Sequence, residues 1–206
     1  MYFPIGWPKV LKTPELGGSS IKQVTCNREK VLFAILTDDT ISIWFCKPCV
    51  PIVFHRRDSN SIAKFGSNVF LEWKPDSSMF VIVTSEGHLL FYNVQVLADQ
   101  KGLYVQTDSP HESLKRDSAE LFIKEVIPPL HLSLKEEIQI WDGEITGIVC
   151  TTMTEFMIST KKAHVLRYRW DGTQNRDYTL DLRRIPFCIN QQVSKGNNFD
   201  ITYHFI

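Results

Sequence analysis

Short apolar and β-branched runs separated by polar turns recur along the chain. Three segments align without gaps, with the sequences FAILTDDTISIWF (33–45), FVIVTSEGHLLFY (80–92) and FMISTKKAHVLRY (156–168). All three have Phe at the first position, Ile at the third and Thr at the fifth, and all end in an aromatic residue. Two apolar runs flanking a polar turn are typical of a β-hairpin, so each copy predicts one hairpin.

The turns of these hairpins are predicted at residues 38–40, 85–87 and 161–163. The runs FAIL and FVIV are continuously apolar rather than alternating, which predicts strands that are buried on both faces. Hairpins buried in this way are typical of sheets packed radially around an axis, because each inner strand lies between two neighbouring sheets.

The spacing of the copies suggests a β-propeller. The first two copies begin at residues 33 and 80, 47 residues apart, close to the roughly 40–45 residues of a four-stranded blade. The third copy begins only at residue 156. A charged, turn-rich insertion at 98–126, placed between two blades, accounts for the extra length.

The fold class predicted from these patterns is all-β. Further strands are expected at 52–55, 69–73, 138–141 and 178–182, with no long helix and only weak helical character at 112–126. The whole chain, 1–206, is then interpreted as an incomplete propeller of about three to four blades from a longer protein. The last residues, 190–206, begin no further hairpin and are an atypical tail.

Charge and cysteine content narrow the function classes. Lys plus Arg and Asp plus Glu each number 23, so the formal net charge is zero. That balance argues against a nucleic-acid partner, which needs a basic excess, and offers no polybasic membrane patch. Five cysteines without a disulfide-like framework, no signal peptide and no transmembrane run predict a cytosolic protein.

Cys46 and Cys49 form a C-K-P-C sequence that suggests a dithiol redox centre or half of a zinc site. A reactive dithiol of this kind sits where a strand meets a helix, because the helix N-terminus lowers the thiol pKa. Here V-P-I-V-F follows Cys49, which does not begin a helix. We therefore predict turn cysteines between two strands, with a dithiol oxidoreductase as the alternative from another function class.

Other polar residues in the hairpins are open to a structural interpretation. His88 and His164 hold the same place after the turn in two copies, where Ile41 stands in the other, and are predicted to face solvent. Asp38, Asp39 and Glu86 resemble metal ligands or an acid/base pair, but turn chemistry explains them without function.

The run His55-Arg56-Arg57-Asp58 is predicted to be the solvated end of an outer strand, with an acidic or phosphate partner as the alternative. Most of the tryptophans are expected in the core or between blades, namely Trp44, Trp73, Trp141 and Trp170. Trp7 precedes the repeats and either caps the first blade or contacts a partner. No phosphate-loop, dinucleotide, hydrolase or zinc-protease motif occurs, so no catalytic, cofactor-binding or metal residue is predicted.

Several short segments resemble one protein family in order and spacing. They are MYF, GWPK, SIW, FGS, EWKPDSSM, GHLLFYNV, LRYRWDGT and DLRRIPFCIN. Together they cover about residues 1–190 and are similar to the larger, Ric-type subunit of the two-subunit Golgi guanine-nucleotide exchange factor for a Rab GTPase.

That resemblance implies WD-repeat-like propeller blades and a scaffold role without cofactor. It implies a smaller, arrestin-like subunit and a Rab GTPase as partners, no nucleic acid, and indirect peripheral contact with the Golgi membrane. The complex would promote GDP release in retrograde transport from endosomes to the Golgi and within it. A propeller scaffold of a vesicle coat or tether is the alternative within the same class.

Overall fold

The computed structural model describes residues 20–46, 49–96, 104–106, 113–115 and 130–184. Within this part, three four-stranded antiparallel sheets follow one another along the chain, and one smaller hairpin precedes the last strand of the second sheet. We call the three sheets blade 1, blade 2 and blade 3. The predicted all-β class is confirmed, and the predictions for Trp7 and for the tail 190–206 concern residues outside the described part.

Each blade runs from its first strand to its last in chain order, apart from the small hairpin. Blade 1 contains β1 (Ile21–Cys26), β2 (Leu32–Thr37), β3 (Thr40–Phe45) and β4 (Val50–Arg56). Blade 2 contains β5 (Asn68–Trp73), β6 (Met79–Thr84), β7 (His88–Val96) and β10 (Leu130–Gln139), with the small hairpin β8 (Tyr104–Gln106) and β9 (Ser113–Lys115) between its last two strands. Blade 3 contains β11 (Ile145–Cys150), β12 (Glu155–Thr160), β13 (His164–Arg169) and β14 (Gln174–Asp181).

The three repeated segments form the central hairpin of each blade. They correspond to β2–β3, β6–β7 and β12–β13. Every residue of β6 is buried, as the continuous apolar run predicts for a strand packed on both faces. The repeat therefore marks the two strands at the centre of each sheet.

The gapless alignment is wrong by one residue in the second half of the first copy. Phe80 pairs with Tyr92 and Phe156 pairs with Tyr168, whereas Phe33 pairs with Trp44 rather than with the aligned Phe45. The cause is the turn, because two residues separate β2 from β3 while three residues separate the strands of the other two hairpins. A shift of one residue turns every side chain to the opposite face of the sheet.

The insertion lies within a blade rather than between two blades. The strands that flank it, β7 and β10, are hydrogen-bonded neighbours in blade 2. Most of the predicted segment 98–126 lies outside the described residues, although β8 and β9 fall within it. The spacing of the repeats could not distinguish an insertion within a blade from one between two blades, because both lengthen the distance between successive copies equally.

A short helix, α1 (Ser59–Phe65), connects blade 1 to blade 2. The Asp58 side chain accepts a hydrogen bond from the Ser61 amide at 2.7 Å, as an N-cap does. Gly66 ends the helix at φ +83°, a conformation that favours glycine. No helix in the described part of the chain has the length and apolar character needed to cross a membrane.

Two apolar clusters join the blades. One lies between blades 1 and 2 and contains Leu36, Ile43, Phe80, Ile82 and Leu90, among others. The other lies between blades 2 and 3 and contains Val83, Leu89, Phe91, Phe156 and Leu166, among others. Blade 2 thus contributes one row of side chains to each cluster, because successive strand residues point to opposite faces.

We call the first strand of each blade, β1, β5 and β11, its inner strand. A side chain of one inner strand also accepts a hydrogen bond from the backbone of the inner strand of the next blade. The Leu71 amide of β5 donates to Gln23 Oε1 of β1 at 2.7 Å, and the Cys150 amide of β11 donates to Glu72 Oε1 of β5 at 2.9 Å. Burial raises the pKa of Glu72, while the bond from Cys150 opposes that rise. These bonds fix the inner strands of successive blades relative to one another.

Replacing Gly87 by alanine is expected to lower the free energy of unfolding by about 2 kcal/mol. Gly87 has φ +75°, and a Cβ there would lie 2.7 Å from the carbonyl oxygen of Gly143. Gly143→Ala is a matched control, since its φ is +82° but an added Cβ meets nothing within 4 Å. Urea denaturation should therefore show a smaller loss, about 1 kcal/mol, for the control. Equal losses would refute the steric role of the contact.

Candidate functional site

The threonine shared by all three hairpins fastens the turn that follows it. The hydroxyl oxygen of Thr84 accepts from the His88 amide at 3.1 Å, and that of Thr160 accepts from the His164 amide at 3.3 Å. In the shorter turn of blade 1, Thr37 accepts from the Thr40 amide at 3.0 Å. The threonine at the fifth position is therefore shared because its hydroxyl accepts the hydrogen bond that closes the turn.

A buried polar cluster of Asp142, Thr160 and His164 lies where blade 2 leads into blade 3. Asp142 Oδ2 accepts a hydrogen bond from the Thr160 hydroxyl and lies 2.8 Å from His164 Nδ1, and the Asp142 side chain is fully buried. Burial acts to raise the pKa of Asp142. The hydrogen bonds from Thr160 and His164 and the nearby charge of Lys162 outweigh it, so this pKa lies below its ordinary value.

This cluster has the residue types of a hydrolytic triad but not its connectivity. A triad places the imidazole between the hydroxyl and the carboxylate, so that the imidazole can take the hydroxyl proton. Here the carboxylate of Asp142 lies between Thr160 and His164 and accepts from both. The arrangement stabilises the junction of the two blades and leaves the hydroxyl unactivated.

Both hairpin histidines are less exposed than predicted. The His164 side chain is 15% exposed, and His88 is half-buried with its ring edge-on to Phe65 at 5.3 Å. The prediction that they face solvent is wrong, because each side chain packs against the connection that enters its own blade, His88 on Phe65 and His164 on Asp142. The first copy has Thr40, rather than Ile41, at the equivalent place.

Arg57 is buried, which contradicts the prediction of a solvated strand end. Its guanidinium donates to Asn68 Oδ1 at 2.8 Å, to the carbonyl of Gly66 at 2.9 Å and to the carbonyl of Ser61 at 3.0 Å. Burial lowers the pKa of Arg57, and the nearby Tyr92 and Asp58 oppose that shift. Arg57 thus holds α1 against the start of blade 2 and is not available to bind a phosphate.

The neighbours of Arg57 are similarly engaged. His55 is buried, with its ring 5.3 Å from that of Tyr92 and its Nε2 3.4 Å from the tyrosine hydroxyl. Arg56 Nε lies 3.5 Å from Asp39 Oδ2. Asp58 alone of the four remains exposed, as the cap of α1.

Cys46 and Cys49 lie in the connection between β3 and β4, and both are half-buried. The segment after Cys49 is the strand β4, so no helix N-terminus is present there to lower a thiol pKa. Among the residues that the structure describes, no group of three or more His, Cys, Asp or Glu side chains could hold a metal ion. The local structure agrees with the interpretation as turn cysteines.

The turn carboxylates also lie where the sequence places them. Asp38 and Asp39 form the turn between β2 and β3, and Glu86 lies in the turn between β6 and β7. Asp38 Oδ1 is 3.0 Å from Lys22 Nζ, and Asp39 Oδ1 accepts from the Thr37 hydroxyl at 3.2 Å. These contacts stabilise a turn and bring no second carboxylate to a shared reacting position.

A shallow cleft lies where the inner strands of all three blades end. It has a volume of about 320 Å³ and is lined by residues that include Cys26, Arg28, Glu72, Cys150 and Met153. Burial and the charge of Glu72 raise the pKa of the Cys150 thiol, which keeps it protonated and weakly nucleophilic near neutral pH. The sequence did not single out this cleft, because its residues are scattered along the chain.

Three of the four strand-associated tryptophans are buried, as predicted, namely Trp44, Trp73 and Trp170. Trp141 is the exception, at 58% exposed. Its ring lies 5.7 Å from that of His164, which belongs to the buried Asp142 cluster. A large aromatic side chain held in this exposed position suits binding to another surface better than core packing.

Comparison with known proteins links the chain to one group of relatives. It is 28% identical over 201 residues to the guanine nucleotide exchange factor subunit RIC1 of Mus musculus, covering 97% of this chain and 14% of the relative. It is 30% identical over 206 residues to the guanine nucleotide exchange factor subunit R06F6.8 of Caenorhabditis elegans, covering 96% of this chain and 14% of that relative. No family model matches the chain.

Among solved structures, the β-propeller domain of Cps50 (Swd1) from Myceliophteria thermophila matches with a TM-score of 0.50 and 11% identity. The match covers 79% of this chain and 41% of that domain. At this identity the likeness bears on the fold alone, and it confirms the interpretation of the three sheets as propeller blades. The similarity along the chain also confirms the resemblance found in the sequence: over 97% of its length this chain is similar to guanine nucleotide exchange factor subunits named RIC1.

Proposed function

We propose that this chain is a scaffold portion of a guanine-nucleotide exchange factor subunit that acts on a Rab GTPase at the Golgi. In this proposal it works with a smaller, arrestin-like subunit in retrograde transport, as a cytosolic protein held at the membrane through its partners. The observation that supports it is the similarity over 97% of the chain to subunits that carry the exchange-factor name. The chain spans 14% of the length of those relatives.

The geometry fits a role in binding. Exchange factors act by stabilising the nucleotide-free GTPase more strongly than the nucleotide-bound form, which requires complementary surfaces rather than an acid, a base or a nucleophile. The polar clusters described above are used for structure: Arg57 holds α1, and Asp142 fastens the connection that enters blade 3 to the central hairpin of that blade. The packed blades supply a rigid platform, which lowers the ordering cost of association.

The proposal is tested by nucleotide exchange. The longest form of the subunit that contains this sequence is co-purified with the smaller subunit and added to the Rab GTPase loaded with fluorescent GDP. Release of GDP is expected to be faster with the complex than with the Rab alone. Release at the rate of the Rab alone, from a complex that has assembled, would overturn the exchange-factor assignment.

A second measurement separates the scaffold role from the exchange activity. The 206-residue chain is tested for co-purification with the smaller subunit and with nucleotide-free Rab. Retention of either partner is expected if these blades form part of the assembly surface. Failure to retain both would place the partner surfaces elsewhere in the longer relatives and contradict the scaffold role of these blades.

A further inference from the structure

The outer side of blade 3 carries an exposed depression that we call the Trp141 surface, formed by Trp141, Gln174, Arg176 and Thr179. Its volume is about 360 Å³. Trp141 comes from the connection that enters blade 3, and the other three residues come from the outer strand β14. Trp and Arg are the residue types that most often dominate binding energy at protein interfaces.

Trp141 is held in place before any partner arrives. The preceding residue, Ile140, is buried, and the Ile140 amide donates to the Gly87 carbonyl at 2.8 Å. Its other neighbour, Asp142, is fixed by Thr160 and His164. Because the backbone on both sides of Trp141 is anchored, little conformational entropy remains to be lost when its exposed ring is covered.

Arg176 gives the surface its charge preference. It is exposed, and it makes no hydrogen bond or ion pair with the residues that the structure describes. Glu144, three residues after Trp141, pairs with Lys161 at 2.9 Å, and Asp181, at the end of β14, pairs with Arg183 at 2.8 Å. Asp177 follows Arg176 but does not line the depression. Within the described part of the chain, the cation that borders the exposed tryptophan therefore has no carboxylate partner.

The last, outer strands of blades 1 and 2 differ from that of blade 3 in how their large apolar side chains are exposed. In β4, the apolar residues Ile52, Val53 and Phe54 are buried. In β10, the exposed stretch 134–137 is Leu-Lys-Glu-Glu, which is mainly charged. In β14, by contrast, Tyr178 is 58% exposed and Leu180 is 48% exposed, although the Tyr178 ring lies against Arg167 and outside the depression.

We propose that the Trp141 surface docks a segment of a second protein that presents a carboxylate beside a large apolar side chain. The apolar side chain packs on the Trp141 ring, and the carboxylate pairs with the guanidinium of Arg176, which can bind it through two parallel hydrogen bonds. Charge complementarity selects this occupant, because a basic segment would leave Arg176 facing a like charge. The inference stands on blade 3 alone and does not depend on the role in nucleotide exchange.

The test uses the whole 206-residue chain as bait for a display library of short random peptides. Selected peptides are expected to be enriched in an acidic residue adjacent to an aromatic or aliphatic one. Their affinity, measured by fluorescence anisotropy, should fall by about tenfold or more with Trp141→Ala and with Arg176→Glu. The affinity of the Arg176→Glu variant should recover in part when the acidic residue of the peptide is replaced by lysine, because the two charges are then opposite again.

Lys64→Glu is the matched control, since Lys64 is an exposed cation of α1 whose side chain is 65% exposed. It should leave peptide affinity unchanged, and thermal melting should show that all three variants fold. The proposal is overturned if no peptide is selected, if the selected peptides show no acidic enrichment, or if they bind Trp141→Ala and Arg176→Glu as well as the unchanged chain.

Discussion

Replacement of Phe80 by alanine is expected to lower the free energy of unfolding by about 4 kcal/mol. Phe80 is fully buried between blades 1 and 2. Its ring stacks on Tyr92 at 5.3 Å and meets Trp73 edge-on at 5.4 Å. Removing it loses the transfer free energy of the ring and leaves a cavity that the two aromatic neighbours cannot fill without leaving their own contacts.

Phe33 provides a matched control because it holds the same repeat position in blade 1. It stacks on Trp44 at 6.0 Å but is only partly buried. Phe33→Ala should therefore cost less, about 1–2 kcal/mol, when both variants are measured by chemical denaturation. Equal losses would show that the repeat position, rather than burial between blades, determines the contribution of the ring.

The comparison of Phe33 with Phe80 shows what the sequence could and could not predict. The shared Phe, Ile and Thr correctly indicated a hairpin, because their positions serve strand packing and the turn in every blade. The pattern did not reveal that the first turn is one residue shorter. Apolar residues occupy both faces of a strand that is buried on both sides, so a slip of one residue leaves the pattern apolar.

The polar clusters were harder to predict than the strands. Arg57 lies in a short charged run that normally indicates a solvated surface, and only the position of α1 shows that its partners are carbonyls and the Asn68 side chain. Asp142 is 18 residues from Thr160, and nothing in local spacing links them. Burial of such groups depends on how two blades meet, which is a property of the tertiary structure.

Replacement of Asp142 by asparagine is expected to lower the free energy of unfolding by about 3 kcal/mol at neutral pH. The carboxylate accepts from the Thr160 hydroxyl and from His164 Nδ1 in a fully buried position. An amide of the same size retains the shape of the side chain but loses the charge. Both donors bond to the same oxygen, Oδ2, so an amide that keeps its carbonyl oxygen there places its NH₂ group at the Oδ1 position. That position lies 3.5 Å from Lys162 Nζ, so the buried NH₂ group faces a cation instead of an acceptor.

The pH dependence of this difference follows from the lowered pKa of Asp142. An aspartate in the unfolded chain has a pKa of about 3.9, and the folded value lies below it. The stabilisation by the carboxylate is therefore fully present above about pH 4 and decreases as the pH falls through the folded pKa. The difference between the unchanged chain and Asp142→Asn should accordingly shrink as the pH falls below about 4.

Glu144→Gln is the control, because it removes a different carboxylate from the same connection and shows how much stability such a loss costs at an exposed position. Glu144 pairs with Lys161 at 2.9 Å, but its side chain is 60% exposed, so its loss should change the free energy of unfolding by less than about 1 kcal/mol. Urea denaturation of the three proteins between neutral and acidic pH makes the measurement. If Asp142→Asn is as stable as Glu144→Gln, or if its deficit does not shrink in acid, the buried carboxylate does not stabilise the entry into blade 3 as the geometry indicates.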